Sequence, residues 1–285
     1  VNGQRNGQGT MTYPDGERYE GEFKDGILHG HGIYYFKDGS VYEGEWANGL
    51  PNGQGTRTYV DRVIDEGIWK NGVLKKTWDF QNGNQYQGEW RHGQPNGQGA
   101  MTYHLGARYE GQWVNGERQG QGTMTWPDDI IYDTKKYEGL WANDLPNGQG
   151  RCTYMDGVVD EGIWTNGVLK KTVSFPDHSQ YQGEWRHGRA NGQGICIYSS
   201  GDRYEGQFLD SKRHGHGKYT TFSTGQVWEG EWANDAMDGF GQMSYPDGSR
   251  YSGGWKGGKR TGIGKMTYPD GTVQKGEWMN DNRVA

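Results

Sequence analysis

The chain has 285 residues, of which 52 are glycine; 14% are aromatic and only 31% hydrophobic, which excludes an ordinary layered core for want of aliphatic side chains. A net charge of −6, with Lys and Arg scattered instead of blocked, argues against nucleic acid as a partner. No apolar run approaches the roughly 20 residues that span a bilayer, and the residues shown carry no signal peptide or lipidation motif.

In chain order, residues 1–9 align with residues 91–99, the second half of a repeating unit, and there is no initiator Met. The expectation is a fragment or processed chain opening on a partial unit at residues 1–18. The first complete unit follows. Gly9-Thr10-Met11-Thr12-Tyr13 alternates, Pro14-Asp15-Gly16 is turn chemistry, Arg18 to Phe23 alternates again, and Lys24-Asp25-Gly26 turns back. Each unit therefore reads as a β-hairpin. Period 2 puts Tyr19, Gly21 and Phe23 on one face and Glu20 and Glu22 on the other, so the sheet has an aromatic face and an acidic face. Glycine between two aromatics leaves a hole in which a neighbouring ring can lie over bare backbone.

The aromatic-acidic-glycine-polar-aromatic pattern returns at Tyr42 to Trp46, Tyr86 to Trp90, Tyr109 to Trp113, Tyr137 to Trp141, Tyr181 to Trp185, Tyr204 to Phe208, Trp228 to Trp232 and Tyr251 to Trp255. Weaker copies begin at Asp65, Asp160 and Gln274, and the central glycines mostly lie 23 residues apart. About twelve units at a fixed period mean a stacked array with no single core. The fold class is all-β: one extended, twisted, single-layer antiparallel sheet of tandem hairpins, rod-like, in one continuous domain over residues 1–285. A four-unit block at 42–136 recurs as 137–227, with Tyr42 and Tyr137 95 residues apart, as are Tyr86 and Tyr181.

Two departures stand out. Asp65-Glu66-Gly67-Ile68-Trp69 lacks the leading Tyr and is followed by Val73-Leu74-Lys75-Lys76 in place of paired glycines; Asp160 to Thr172 repeats this almost verbatim. Lys75, Lys76, Lys170 and Lys171 either pair with the glutamates of the acidic face or mark two docking sites. Between Trp126 and Tyr137 the usual turn lengthens, and Ile130, Ile131 and Tyr132 form a candidate contact tip. Cys152 and Cys196 share the inward position of Met11 two units apart, about 19 Å, too far for a disulfide. The glutamates recur with the unit and so describe a face, and no nucleophile, metal or phosphate-loop motif of established spacing is present, which predicts a non-enzyme without cofactor or metal.

The reiterated Tyr-Glu-Gly-Glu-Trp, closed by Asn-Gly-x-Gly or His-Gly-x-Gly as in Tyr42 to Gly55, resembles the MORN (membrane occupation and recognition nexus) repeat over essentially the whole chain. The resemblance implies an extended single-layer antiparallel sheet, with repeats acting as binding and spacing elements and any catalysis residing in another domain. The leading expectation is a non-enzymatic scaffold that binds a protein partner, a peptide or helix, along the aromatic groove, with self-association as a homodimer through exposed edges. Candidate contact residues are Tyr42, Trp46, Tyr86, Trp90, Tyr109, Trp113, Tyr137, Trp141, Tyr181 and Trp185. Two alternatives are a glycan-binding rod using the rings as stacking platforms and a membrane-lipid recognition module.

Overall fold

A computed structural model describes residues 3–128 and 133–284. The regular structure among them is entirely β, with 25 strands in one antiparallel sheet. The chain divides into two compact units, Val1–Asn147 and Gly148–Ala285. The first holds β1 (Gly7–Thr12), β2 (Arg18–Lys24), β3 (Ile27–Tyr35), β4 (Val41–Ala47), β5 (Leu50–Thr58), β6 (Ile64–Lys70), β7 (Val73–Asp79), β8 (Gln85–Arg91), β9 (Gln94–Thr102), β10 (Arg108–Val114), β11 (Glu117–Thr125) and β12 (Thr134–Ala142). β13 (Leu145–Tyr154) enters the second, which continues with β14 (Val159–Thr165), β15 (Val168–Ser174), β16 (Gln180–Arg186), β17 (Arg189–Ile197), β18 (Arg203–Leu209), β19 (Lys212–Thr220), β20 (Val227–Ala233), β21 (Ala236–Ser244), β22 (Arg250–Lys256), β23 (Lys259–Thr267), β24 (Val273–Met279) and β25 (Asn282–Arg283).

Two turn chemistries set this order. At one end of the strands, Asn48-Gly49 and its counterparts take positive φ at both positions, 53° and 80° here, the two-residue turn whose twist matches a hairpin. At the other end, Phe36-Lys37-Asp38-Gly39-Ser40 closes with Phe36 N–H donating to Ser40 O and Gly39 N–H to Phe36 O, while Asp38 accepts from the Ser40 amide and hydroxyl. The Asn-Gly tips also stack on one another: Gly49 N–H donates to Leu28 O and Gly72 N–H to Pro51 O.

Register then lines the glycines into a ladder. Gly9, Gly21, Gly32, Gly44, Gly55 and Gly67 are successive cross-strand partners in the first unit, as are Gly183, Gly194, Gly206, Gly217 and Gly230 in the second. Most tip hairpins carry a bulge just after the ladder glycine, as at Gly21/Glu22. The bulge turns a carbonyl out of the ladder, and the tyrosine hydroxyl satisfies it: Tyr19 donates to Glu22 O and His29 O, Tyr42 to Glu45 O and Tyr109 to Gln112 O. Only bare glycine leaves room for the ring to reach across.

The buried tyrosines form a zigzag spine with the tryptophans. Tyr42 meets its own Trp46 edge-on at 5.3 Å and the next hairpin's Trp69 at 5.1 Å; Tyr86 is held between Trp90 and Trp113, and Tyr204 between Phe208 and Trp232. Trp46 Nε1 donates back to Gly32 O and Trp69 Nε1 to Gly55 O, so these tryptophans lock their hairpins to the ones before, as Trp113, Trp141, Trp164 and Trp232 also do. Cys152 and Cys196 are buried thiols on this same face.

Loss of hydration pushes the hydroxyls of Tyr42, Tyr109 and Tyr204 up to about 12, because burial disfavours the phenolate. A raised folded-state value contributes stability that is complete below the unfolded value near 10 and lost as pH climbs through the folded value. An alkaline titration followed by tyrosinate absorbance and circular dichroism should therefore show one cooperative loss of sheet between about 10 and about 12. A gradual tyrosinate rise near the ordinary value, with the sheet intact, would contradict the packing described.

Candidate functional site

The aromatic face has two layers. Tyr42, Trp46, Tyr86, Trp90, Tyr109, Trp113, Tyr137, Trp141 and Tyr181 are buried and Trp185 is partly buried. These ten positions form the spine itself, and what reaches solvent is a second row resting on them. It comprises Tyr34, Phe36, Tyr59 and the half-exposed Trp78 in the first unit, and Tyr198, Tyr219, Met237, Met243, Tyr245 and Tyr268 in the second. In the second unit Tyr219, Trp228, Trp232, Met237 and Met243 line a recess of about 430 Å³. Ile130, Ile131 and Tyr132 lie outside the described residues.

Arginines join this second layer, a feature that strand alternation alone does not reveal. Arg118 lies 4.5 Å over Trp141, Arg213 4.4 Å over Trp232 and Arg260 4.4 Å over Trp278. Each also holds the next tip: Arg118 Nε donates to Asp144 Oδ1 at 2.9 Å and its Nη2 to Asp144 O at 2.7 Å, with the same pairing of Arg213 to Asp235 and Arg260 to Asp281. These three aspartates stand where other tips have glycine and keep positive φ. The sequence signal is Arg-x-Gly-x-Gly followed by Asn-Asp in the next tip.

The two departures are corners. β7 and β15 lack the two-residue step ending in glycine that other second strands carry, as at Asn52-Gly53 or Gln119-Gly120, and β6 and β7 pair only at Trp69 with Leu74 and Lys70 with Val73; β14 and β15 pair only at Trp164 with Leu169 and Thr165 with Val168. Through the resulting gap the β8–β9 tip reaches the β5–β6 turn. Asp65, fully buried, accepts from Tyr59 Oη at 2.9 Å, His92 N–H at 2.6 Å and Gly93 N–H at 2.9 Å. Its carboxylate thus replaces the upstream tip carbonyl that the Gly93 amide would otherwise use. Asp160 does the same for Gly188 N–H, and accepts from Tyr154 Oη and Trp185 Nε1. His92 packs tilted against Tyr59 and bonds Asp61, and His187 stacks on Tyr154 and bonds Asp156. Lys75 and Lys170 face Glu89 and Glu184 across the ladder, while Lys76 and Lys171 lie over Trp90 and Trp185 on the aromatic face.

Among the described residues there is no cluster of three or more metal-ligating side chains, and no helix long and apolar enough to cross a membrane.

The MORN repeat model matches residues 1–18, 19–41, 42–62, 86–104, 109–129, 137–159, 181–203, 204–223, 228–250 and 251–273. The chain belongs to the MORN repeat family. The internal stretches left unmatched include both corner hairpins, β6–β7 and β14–β15, where this MORN protein departs from its own repeat. No curated protein matches it. Among solved structures, the TCP10 domain of Danio rerio CPAP is 16% identical over 94% of this chain and 93% of that one, at a TM-score of 0.25. The SAS-4 (dCPAP) TCP domain of Drosophila melanogaster, solved with a proline-rich motif of Ana2 (dSTIL), is 11% identical over 72% and 90%, at 0.24. A streptogramin B lyase is 10% identical over 98% and 85%, at 0.15. MORN repeats are in general a non-enzymatic module, suited to binding or scaffolding, and no catalytic family is indicated.

Proposed function

We propose that this MORN array is a non-enzymatic scaffold whose aromatic face holds a protein partner, an extended peptide or a helix, against the second row of rings. The observation that carries this is the layering. Buried Tyr and Trp already satisfy one another, so Tyr219, Met237, Met243 and the stacked Arg213 form a firm, partly apolar floor to an open recess. Rigid aromatic contact area costs little side-chain entropy on binding, and methionine adapts to an irregular partner. The ten spine positions act here as support, with contact made by the residues above them.

Peptides selected from a random display library on the intact chain should quench tryptophan fluorescence. They should bind the Tyr219→Ala/Met243→Ala variant at least about tenfold more weakly, with little dependence on salt. Peptides that bind this variant as well as the parent would refute the reading. Binding seen only with polysaccharides, or only with anionic vesicles and lost in salt, would move the assignment to the glycan or lipid alternative.

A further inference from the structure

The opposite face of the sheet changes character within the second unit. Along most of the chain it is acidic, through Glu20, Glu43, Glu66, Glu110, Glu138, Glu161, Glu205 and Glu229 at one repeat position. That position becomes Ser252 on β22 and Lys275 on β24, and Lys275 stands directly across the ladder from Lys265 on β23. Neither lysine has an ion-pair partner among the described residues, and like charges opposite each other cost stability. Beside them Phe240 is 62% and Ile263 77% exposed, with Gly254 between their strands and directly opposite Phe240.

A missing side chain marks the same spot. In other hairpins a Glu or Gln folds over the positive-φ glycine of the facing strand: Glu45 over Gly53, Glu89 over Gly97, Gln112 over Gly120 and Glu231 over Gly239. Its oxygen accepts from the following amide, as Glu231 Oε2 does from Phe240 N–H at 2.7 Å. At Gly262 the equivalent residue is Gly254, and nothing lies over the glycine. Glu277 stands across the ladder from Ile263, so the cationic part of the patch is Lys265 and Lys275; with no carboxylate at position 254 it suits a ligand that brings an acid between apolar groups.

This chain carries that chemistry itself. On β6, Ile64 and Ile68 are 56% and 62% exposed on either side of Glu66, which faces Thr56 and has no ion pair among the described residues. Val159, Glu161 and Ile163 repeat the row on β14. We propose that the patch of Phe240, Ile263, Lys265 and Lys275 receives the Ile64-Glu66-Ile68 row, or its β14 counterpart, of a second copy of the chain. The isoleucines of the row lie about 13 Å apart along one strand, and Phe240 and Ile263 about 10 Å apart across two strand spacings, so the incoming strand crosses the patch instead of running alongside its strands. Two different surfaces meet, so the contact is heterologous and propagates head to tail. It uses the face opposite the aromatic one and stands or falls independently of peptide binding there.

Sedimentation velocity across a wide concentration range tests it by charge exchange. The parent chain should gain mass with concentration, and less so in high salt. Lys265→Glu/Lys275→Glu and, separately, Glu66→Lys/Glu161→Lys should each associate about a hundredfold more weakly, with the thermal melt unchanged for the first and slightly lowered for the second, where Glu161→Lys sets a cation across the ladder from Arg151. An equimolar mixture of the two variants should recover association, since each patch then meets a row of opposite sign. A parent that stays monomeric at every concentration overturns the proposal, as does a mixture no different from its components. Monomeric protein that sediments with phosphatidylserine-containing vesicles through this patch would show that the occupant is lipid and overturn it equally.

Discussion

Gly44→Ala should cost about 3 kcal/mol or more, an unusually large effect for one methyl group. A Cβ at Gly44 would stand 2.5 Å from Gly55 Cα, 2.6 Å from Gln54 O and 2.8 Å from the Tyr42 hydroxyl. Two of these atoms are backbone, so β4 and β5 must move apart. Tyr42 then lifts from the ladder and releases the Glu45 carbonyl it satisfies. The informative control is Gly16→Ala, where φ is +93° but nothing lies within 4 Å of the added atom; strain of the backbone alone should cost about 1 kcal/mol. Urea denaturation of the two variants distinguishes close approach from conformational freedom. Equal losses would mean that the glycine ladder is required for its dihedrals and not for the rings laid across it.

The corner aspartate should be nearly as sensitive. Asp65→Leu leaves the Tyr59 hydroxyl and the Gly93 amide without their acceptor, and the His92 amide with only the Tyr59 hydroxyl at 3.3 Å, in a closed site, a loss of about 3–5 kcal/mol. Asp65→Asn keeps the shape and one acceptor oxygen but turns an NH₂ toward a donor, for about 2 kcal/mol. Tyr59→Phe removes one donor and should cost about 1 kcal/mol. The decisive substitution is Asp65→Tyr, which restores the family's leading aromatic. It should destabilise, because β7 separates from β6 beyond Leu74 and offers no paired ladder glycine beneath the ring. A neutral or stabilising Asp65→Tyr, read by thermal melting, would mean that the missing tyrosine and not the carboxylate distinguishes this hairpin.

Much of this architecture is legible in the sequence because it is made of local contacts. Pro-Asp-Gly and Asn-Gly specify the two turns, alternation assigns every side chain to a face, and glycine between aromatics announces that rings will cross bare backbone. Neighbouring hairpins supply nearly all the partners, so the repeat period carries the packing as well as the order. The all-β tandem-hairpin fold follows from these features, as do the ring positions Tyr42 to Trp185.

Tertiary structure decided what depends on contacts beyond the nearest hairpin or on the exact register between strands. Asp65 reads from sequence as a degenerate tyrosine, and its purpose appears only when the β8–β9 tip, 27 and 28 residues away, arrives through the gap left by a two-residue deletion. The Arg118, Arg213 and Arg260 stacks depend on a tip 21 to 26 residues downstream taking positive φ at an aspartate. The candidate contact rings were found in sequence, but their burial follows from each being covered by the next hairpin's ring, which leaves the second row to face solvent. Local propensity and period thus determined the strands, turns and faces of this protein. Where the sheet turns a corner, and which aromatic residues remain uncovered, are set by what a neighbouring strand can physically reach.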